Sequence, residues 1–316
     1  MTLAQLLDRA VLRQPDAEAL VDGGTRFTYA ELAGRTDTLA RGFAALGVGR
    51  GDRALIALRN RAEHVVAFWA LQKIGAVAVP VNFRLASAEL GYVLQDSTPR
   101  VVLFEEGSAA AVTEAARGRD LPRVYVGDTP PPGAVRFASV LDGVDEPGRG
   151  RGAAPGEWGS EPRSCPPAPA RLGPAPAETD VALILYTSGT TGRPKGVPRT
   201  HRNQAAGALA HVIQCGYEWG ERTLGVMPLY HTMGIHSLTS MAAVNGCFVC
   251  QPQFSAAGAL KLVGEERLSA LYLIPTLYYD LVHASALATT DVSSVRKLAY
   301  AGAPMLAPLT EACFKT

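Results

Sequence analysis

Short apolar, β-branched runs alternate along this chain with longer stretches whose apolar residues recur every three or four positions. The runs predict strands over 54–58, 76–81, 101–104 and 124–126, with helices over 62–74 and 87–95 between them. The rhythm resumes later, with strands predicted over 181–186, 223–227, 248–251, 270–274 and 297–301. Strand–helix alternation of this kind predicts an α/β fold of parallel-type sheets covered by helices. Residues 1–20 mix Asp8, Arg9, Arg13 and Asp16 with spaced leucines, which reads as an amphipathic helix rather than a signal peptide.

One stretch breaks the rhythm. Residues 147–179 are rich in Pro, Gly, Ala and Arg and poor in large aliphatic side chains, so they cannot bury enough apolar surface to order themselves. The expected organisation is a first lobe over 1–146, a flexible linker over 147–179 and a second lobe over 180–316. A length of 316 residues suits two lobes. With 47% hydrophobic and 19% charged residues and a net charge of +1, nothing points to nucleic acid or to disorder. No apolar run is long enough to span a membrane. Five scattered cysteines suit a reducing cytoplasm. The pair in Cys247-Phe-Val-Cys250 sits in an apolar run and reads as a buried strand.

The chemistry concentrates in Tyr186-Thr-Ser-Gly-Thr-Thr-Gly-Arg-Pro-Lys-Gly-Val197, which follows a buried strand. Hydroxyls (Thr187, Ser188, Thr190, Thr191), glycines (Gly189, Gly192, Gly196) and cations (Arg193, Lys195) fill nine of the eleven positions 187–197. Glycine lets backbone N–H groups converge on an anion, hydroxyls add donors, and a lysine adds mobile charge. Such a loop wraps a polyphosphate. It is not a Walker loop, because Pro194 precedes Lys195 and Gly196 follows it. Gly47-Val-Gly-Arg-Gly51 precedes a strand instead of following one, so it reads as a connecting loop and not a dinucleotide fingerprint.

The run resembles the phosphate-binding signature of the adenylate-forming (AMP-binding) superfamily, which includes acyl- and aryl-CoA synthetases. Other segments extend the resemblance over most of the chain. These are Phe27-Thr-Tyr-Ala-Glu-Leu32, Leu71-Gln-Lys-Ile-Gly-Ala-Val-Ala-Val-Pro-Val-Asn82, Met227-Pro-Leu-Tyr-His231 with Gly234, and Tyr300-Ala-Gly-Ala-Pro304. The resemblance implies the fold of that family's large N-terminal domain and a two-step reaction. A carboxylic acid attacks the α-phosphate of ATP, which travels with Mg²⁺, and the thiol of coenzyme A then displaces AMP. It implies that Thr187, Ser188, Gly189, Thr190, Thr191, Gly192 and Lys195 hold phosphates and that Gly302, Ala303 and Pro304 meet the adenine side. His231, Thr232, Met233, His236 and Gly302 would surround the acid, with His231 and Lys195 as the catalytic pair and no dedicated metal ligand.

From Tyr230 to Gly246 there is no Asp or Glu to pair an α-ammonium, which argues against an amino acid substrate. Met233, Ile235, Leu238 and Met241 predict an apolar pocket for an aryl or fatty acid. His64, His201, His211 and His283 have no motif context and read as structural. The family pattern continues past Thr316 with a Glu that helps hold Mg²⁺, a ribose-binding Asp, a hinge and a lid domain. The expectation is therefore a truncated N-terminal portion with low or no activity alone, completed by a homodimer or a separate lid chain. Two alternatives stand beside it: an adenylating enzyme that loads a carrier-protein thiol, and a non-catalytic ATP-binding remnant.

Overall fold

A computed structural model describes residues 1–142, 174–187 and 193–315. In chain order the elements begin α1 (Leu3–Arg13), β1 (Glu18–Asp22), β2 (Thr25–Thr28), α2 (Tyr29–Ala45), β3 (Arg53–Ala57), α3 (Ala62–Ile74), β4 (Val77–Pro80) and α4 (Ser87–Ser97). There follow β5 (Val101–Glu105), α5 (Glu106–Ala115), β6 (Arg123–Val126), β7 (Val135–Arg136), α6 (Phe137–Asp142), β8 (Val181–Thr187), β9 (Lys195–Thr200) and α7 (His201–Cys215). The rest are β10 (Arg222–Gly225), α8 (Thr232–Ala243), β11 (Cys247–Cys250), α9 (Ala256–Glu266), β12 (Ala270–Leu273), α10 (Pro275–Val282), β13 (Lys297–Tyr300) and α11 (Ala307–Lys315).

The chain forms two compact units, each built on one sheet. The first comprises Met1–Gln5, Ala30–Leu58 and Glu63–Gln204. Its sheet has the order β7-β6-β5-β3-β4-β8-β9, parallel except for the β8–β9 pair. Strands β3 to β5 are apolar on both faces, so burying them drives this unit together. Leu90, Val93 and Leu94 of α4 and Val112 of α5 close one face over Leu55, Val79, Val102 and Phe104. Gly47 (φ +79°) and Gly51 (φ +81°) turn the chain between α2 and β3, as expected of a connecting loop.

The second unit comprises Leu6–Tyr29, Arg59–Ala62 and Ala205–Thr316, with sheet order β13-β12-β10-β11-β1-β2. Strands β10 to β13 and β1 run parallel, and β2 turns back antiparallel at the edge. Leu224, Val249, Leu271 and Leu273 form its core with Leu260 and Val263 of α9. Ser255 caps α9 by accepting the Gly258 N–H at 3.2 Å, and Pro275 opens α10 at a position where no N–H is needed. Cys247–Cys250 is the buried strand that the sequence predicts.

Two expectations change. The amphipathic helix expected over 1–20 stops at Arg13, and Glu18–Asp22 is a strand paired to β11, with Leu20 opposite Phe248. The lobe boundary expected at 147–179 falls elsewhere, because β8 and β9 join the first unit's sheet while β1 and β2 join the second's. Most of 147–179 lies outside the described residues. Its last part is tied to the first unit: the Met1 ammonium pairs with Glu178 at 2.6 Å, and the neighbouring Asp180 meets Arg50 at 2.6 Å.

Candidate functional site

The phosphate-loop motif is flanked by β8 and β9, which pair antiparallel. Strand β8 runs parallel to β4, so its carboxyl end lies at the edge of the sheet where ligands sit in open α/β folds. The strand continues through Thr187, and Lys195 and Gly196 already belong to β9. The connecting segment is therefore 188–194, shorter than the 186–197 run suggests. Thr187 pairs with Lys195 and Tyr186 with Gly196. Directly paired residues project from the same face, so the Thr187 hydroxyl and the Lys195 ammonium emerge together at the hairpin head. Both are exposed. Ser188, Gly189, Thr190, Thr191 and Gly192 lie outside the described residues.

Gly196 is explained by close approach. A Cβ there would stand 3.0 Å from Ile184 Cγ2 and 3.1 Å from Tyr186 Cζ, so the Tyr186 ring lies across the glycine.

In the second unit, β10 leads through Met227 to His231, the residue that precedes α8. Asn60, which the sequence reading did not single out, fastens this segment. Its amide nitrogen donates to the carbonyls of Gly225 and Met227, each at 2.8 Å, and its oxygen accepts the Leu229 N–H at 3.0 Å. The amide nitrogen and oxygen are both used and the side chain is buried, so the segment has one position to occupy. Gly234 fixes the other side. A Cβ there would stand 2.2 Å from the Pro228 carbonyl oxygen, so α8 sits backbone to backbone on the Met227–Pro228 turn.

His231 is exposed, its ring 4.8 Å from that of Tyr230, and partial desolvation holds its pKa below the ordinary histidine value. Near neutral pH its ring is uncharged, with one donor and one acceptor nitrogen. Thr232 follows it, partly exposed. Met233 is only 9% exposed and belongs to the core cluster with Leu271 and Tyr278. Ile235, Leu238 and Met241 are buried as well. The apolar stripe of α8 thus packs the interior. His236 is half-buried, its Nε2 2.8 Å from where a Gly207 Cβ would stand, so it packs closely on α7.

Gly302, Ala303 and Pro304 form the exposed turn after β13. Gly302 holds φ +86°, a left-handed conformation that favours glycine. Strands β10 and β13 are parallel and separated only by β12, so His231 and Gly302 follow the same edge of one sheet. The early Phe27–Leu32 motif has a structural task. The buried Tyr29 hydroxyl reaches the carbonyls of Gly246 at 2.7 Å and Met241 at 3.0 Å. Among the described residues no group of three or more His, Cys, Asp or Glu could hold a metal. Among them, too, no helix is long and apolar enough to cross a membrane.

The two largely parallel sheets, with helices between their strands, define the class as an α/β protein. The AMP-binding enzyme family matches residues 7–316. Feruloyl-CoA synthase of Amycolatopsis sp is 33% identical over 303 residues, covering 95% of this chain and 54% of that protein. Long-chain-fatty-acid–CoA ligase FadD13 of Mycobacterium tuberculosis is 32% identical over 295 residues, covering 92% and 53%. The inhibitor-bound N-terminal domain of FACL13 from Mycobacterium tuberculosis superimposes with a TM-score of 0.81 at 26% identity, covering 99% of this chain and 73% of that one. The chain belongs to the AMP-binding enzyme family, and its fold is that of the N-terminal domain of adenylate-forming enzymes. It spans about half the length of the curated relatives it matches.

Proposed function

We propose that the chain serves ATP-dependent activation of an aryl or fatty acid and transfer of the acyl group to coenzyme A. A carboxylate oxygen of the acid attacks the α-phosphorus of ATP, the bond to the β-phosphate oxygen breaks, and pyrophosphate leaves. The thiolate of coenzyme A then attacks the acyl carbon, and AMP departs. No protein nucleophile is needed, because the acid itself attacks. The protein's tasks are alignment and neutralisation of the leaving pyrophosphate.

The observation that carries this reading is the Thr187–Lys195 pair at the head of the β8–β9 hairpin. It flanks the Ser188–Gly192 run of hydroxyls and glycines in a chain that the AMP-binding family matches. In this reading Lys195 and Thr187 hold the departing phosphates, with Ser188, Gly189, Thr190, Thr191 and Gly192 completing the cradle. His231, uncharged and held by Asn60 and Gly234, donates to the acid's carboxylate without pairing it as a salt. Thr232, His236 and Gly302 border the acid, and Ala303 and Pro304 border the adenine. Magnesium, when bound with ATP, would add neutralising charge to that of Lys195. The names of the relatives, feruloyl-CoA synthase and long-chain-fatty-acid–CoA ligase, support both acid classes. The lack of any Asp or Glu from Tyr230 to Gly246 speaks against amino acids.

The test is acid-dependent exchange of label between pyrophosphate and ATP on the purified chain. The panel would hold cinnamates, benzoates, fatty acids and amino acids. ATP binding is the expected result, with at most weak exchange that is confined to aryl or fatty acids. Exchange with amino acids alone would overturn the substrate class. Absence of exchange together with absence of ATP binding would overturn the reading.

A further inference from the structure

We propose that Tyr186, Asp96 and Gly196 form a clamp on the back of the β8–β9 hairpin that sets where Lys195 and Thr187 meet the phosphates of ATP. This rests on the adenylation reading above and adds a positioning unit to it.

Side chains alternate across a strand, so Tyr186 and Thr187 leave β8 on opposite faces. Thr187 and its partner Lys195 share one face. Tyr186, its partner Gly196, and Ile184 share the other. Ile184 and Tyr186 pack on that second face against the cluster that includes Leu90, Val93 and Leu94 of α4.

The Tyr186 hydroxyl donates to Asp96 Oδ2 at 2.5 Å, a short phenol–carboxylate bond of the charge-assisted kind. Asp96 stands in the last turn of α4, which is itself pinned. The Arg53 guanidinium donates to the carbonyls of Ser97 and Thr98, each at 2.8 Å, and Ser97 Oγ donates to Val93 O at 2.6 Å. The hydroxyl end of the ring is thus held by α4 and lies over Gly196, where a Cβ would come within 3.1 Å of Cζ and 3.3 Å of the hydroxyl oxygen. With that end fixed, the Gly196 backbone has one distance to keep, and Lys195 is the adjacent residue. Burial first, and the Asp96 carboxylate second, raise the Tyr186 pKa, so the phenol remains a donor at working pH.

The experiment uses the full chain and its Tyr186→Phe, Asp96→Ala and Asp96→Asn variants. Binding of ATP, inorganic pyrophosphate and AMP is measured by calorimetry, beside thermal melting. Tyr186→Phe and Asp96→Ala should each weaken ATP and pyrophosphate about tenfold, the scale of one charge-assisted hydrogen bond. AMP affinity and melting temperature should stay unchanged. The double variant should bind no worse than either single one. Asp96→Asn, whose amide oxygen can still accept from the phenol, should recover most of the loss. Unchanged ATP and pyrophosphate affinity in the variants would overturn the clamp alone. Equal loss of all three ligands with a falling melting temperature would also overturn it, by making the contact merely structural. A wild-type chain that binds neither ATP nor pyrophosphate would overturn the adenylation reading and the clamp's role with it.

Discussion

Strands β4 and β8 lie side by side in the first unit's sheet, yet they are held in different ways. Every residue of β4 is buried, whereas β8 is half-buried towards its end, and β9 beyond it has no buried residue. The centre of the sheet is fixed by apolar area, which is non-directional and tolerant of detail. The hairpin at its edge carries Lys195, Gly196, Pro198 and Arg199 and has little apolar area to bury. Its geometry depends on a few directional contacts: the ladder to β8, the Tyr186–Asp96 bond and the space over Gly196. Stability resides in the centre, and the candidate chemistry resides where stability is thin.

That contrast can be pressed from its strong side first. Phe104 on β5 is fully buried and meets Tyr125 edge to face at 5.3 Å. Phe104→Ala should cost about 3–5 kcal/mol, read as a shift in the urea midpoint. A loss below about 1 kcal/mol would dissolve the distinction between centre and edge.

Next comes His201, where β9 hands over to α7. Its ring is fully buried, its Nδ1 accepts the Leu3 N–H at 3.2 Å, and its Nε2 has no partner among the described residues. Burial lowers its pKa to about 4, Asp180 opposing and the Met1 ammonium reinforcing. The unfolded chain, with an ordinary histidine value near 6.5, takes up the proton first. Stability from the neutral ring is therefore complete above about pH 6.5 and is lost as pH falls towards 4. The loss should reach about 3 kcal/mol at most. His201→Asn offers an amide oxygen to the same N–H and should flatten that pH dependence. The slope that remains comes from His211, whose pKa burial also lowers to about 4, from His231, and from carboxylates held below their ordinary values such as Glu18 and Glu221.

In the second unit, Gly234→Ala should cost about 1–3 kcal/mol, because the added methyl meets backbone that Asn60 holds in place. Stability equal to wild type would show that the Met227–Pro228 turn can yield. The smallest effect belongs to the edge. Val197 on β9 is exposed, and Val197→Thr should change stability by less than about 0.5 kcal/mol.

The same contrast explains what the sequence disclosed. Runs apolar on both faces announce themselves, and the helix predicted over 62–74 matches α3 (Ala62–Ile74) to the residue. Strand β1 was hidden because Glu18–Asp22 continues the spaced leucines of α1, and only pairing with β11 makes it a strand. Strand β9 holds a proline and two cations and has no apolar run to betray it. Its partner β8 shows plainly as a strand, but nothing local says which sheet it joins. Lys195, His231 and Gly302 stand out in the sequence because the motifs around them resemble those of a known family. Asn60 and Asp96 do not, since their roles exist only through partners far along the chain, at Gly225, Met227 and Tyr186.

The central claim is that the β8–β9 hairpin head grips a polyphosphate, and the most direct measurement is pyrophosphate and ATP binding by the chain and by Lys195→Ala. The account predicts affinity about 10- to 100-fold weaker for both ligands, the worth of a charged hydrogen bond, at an unchanged melting temperature. Equal affinity in Lys195→Ala and wild type would contradict it.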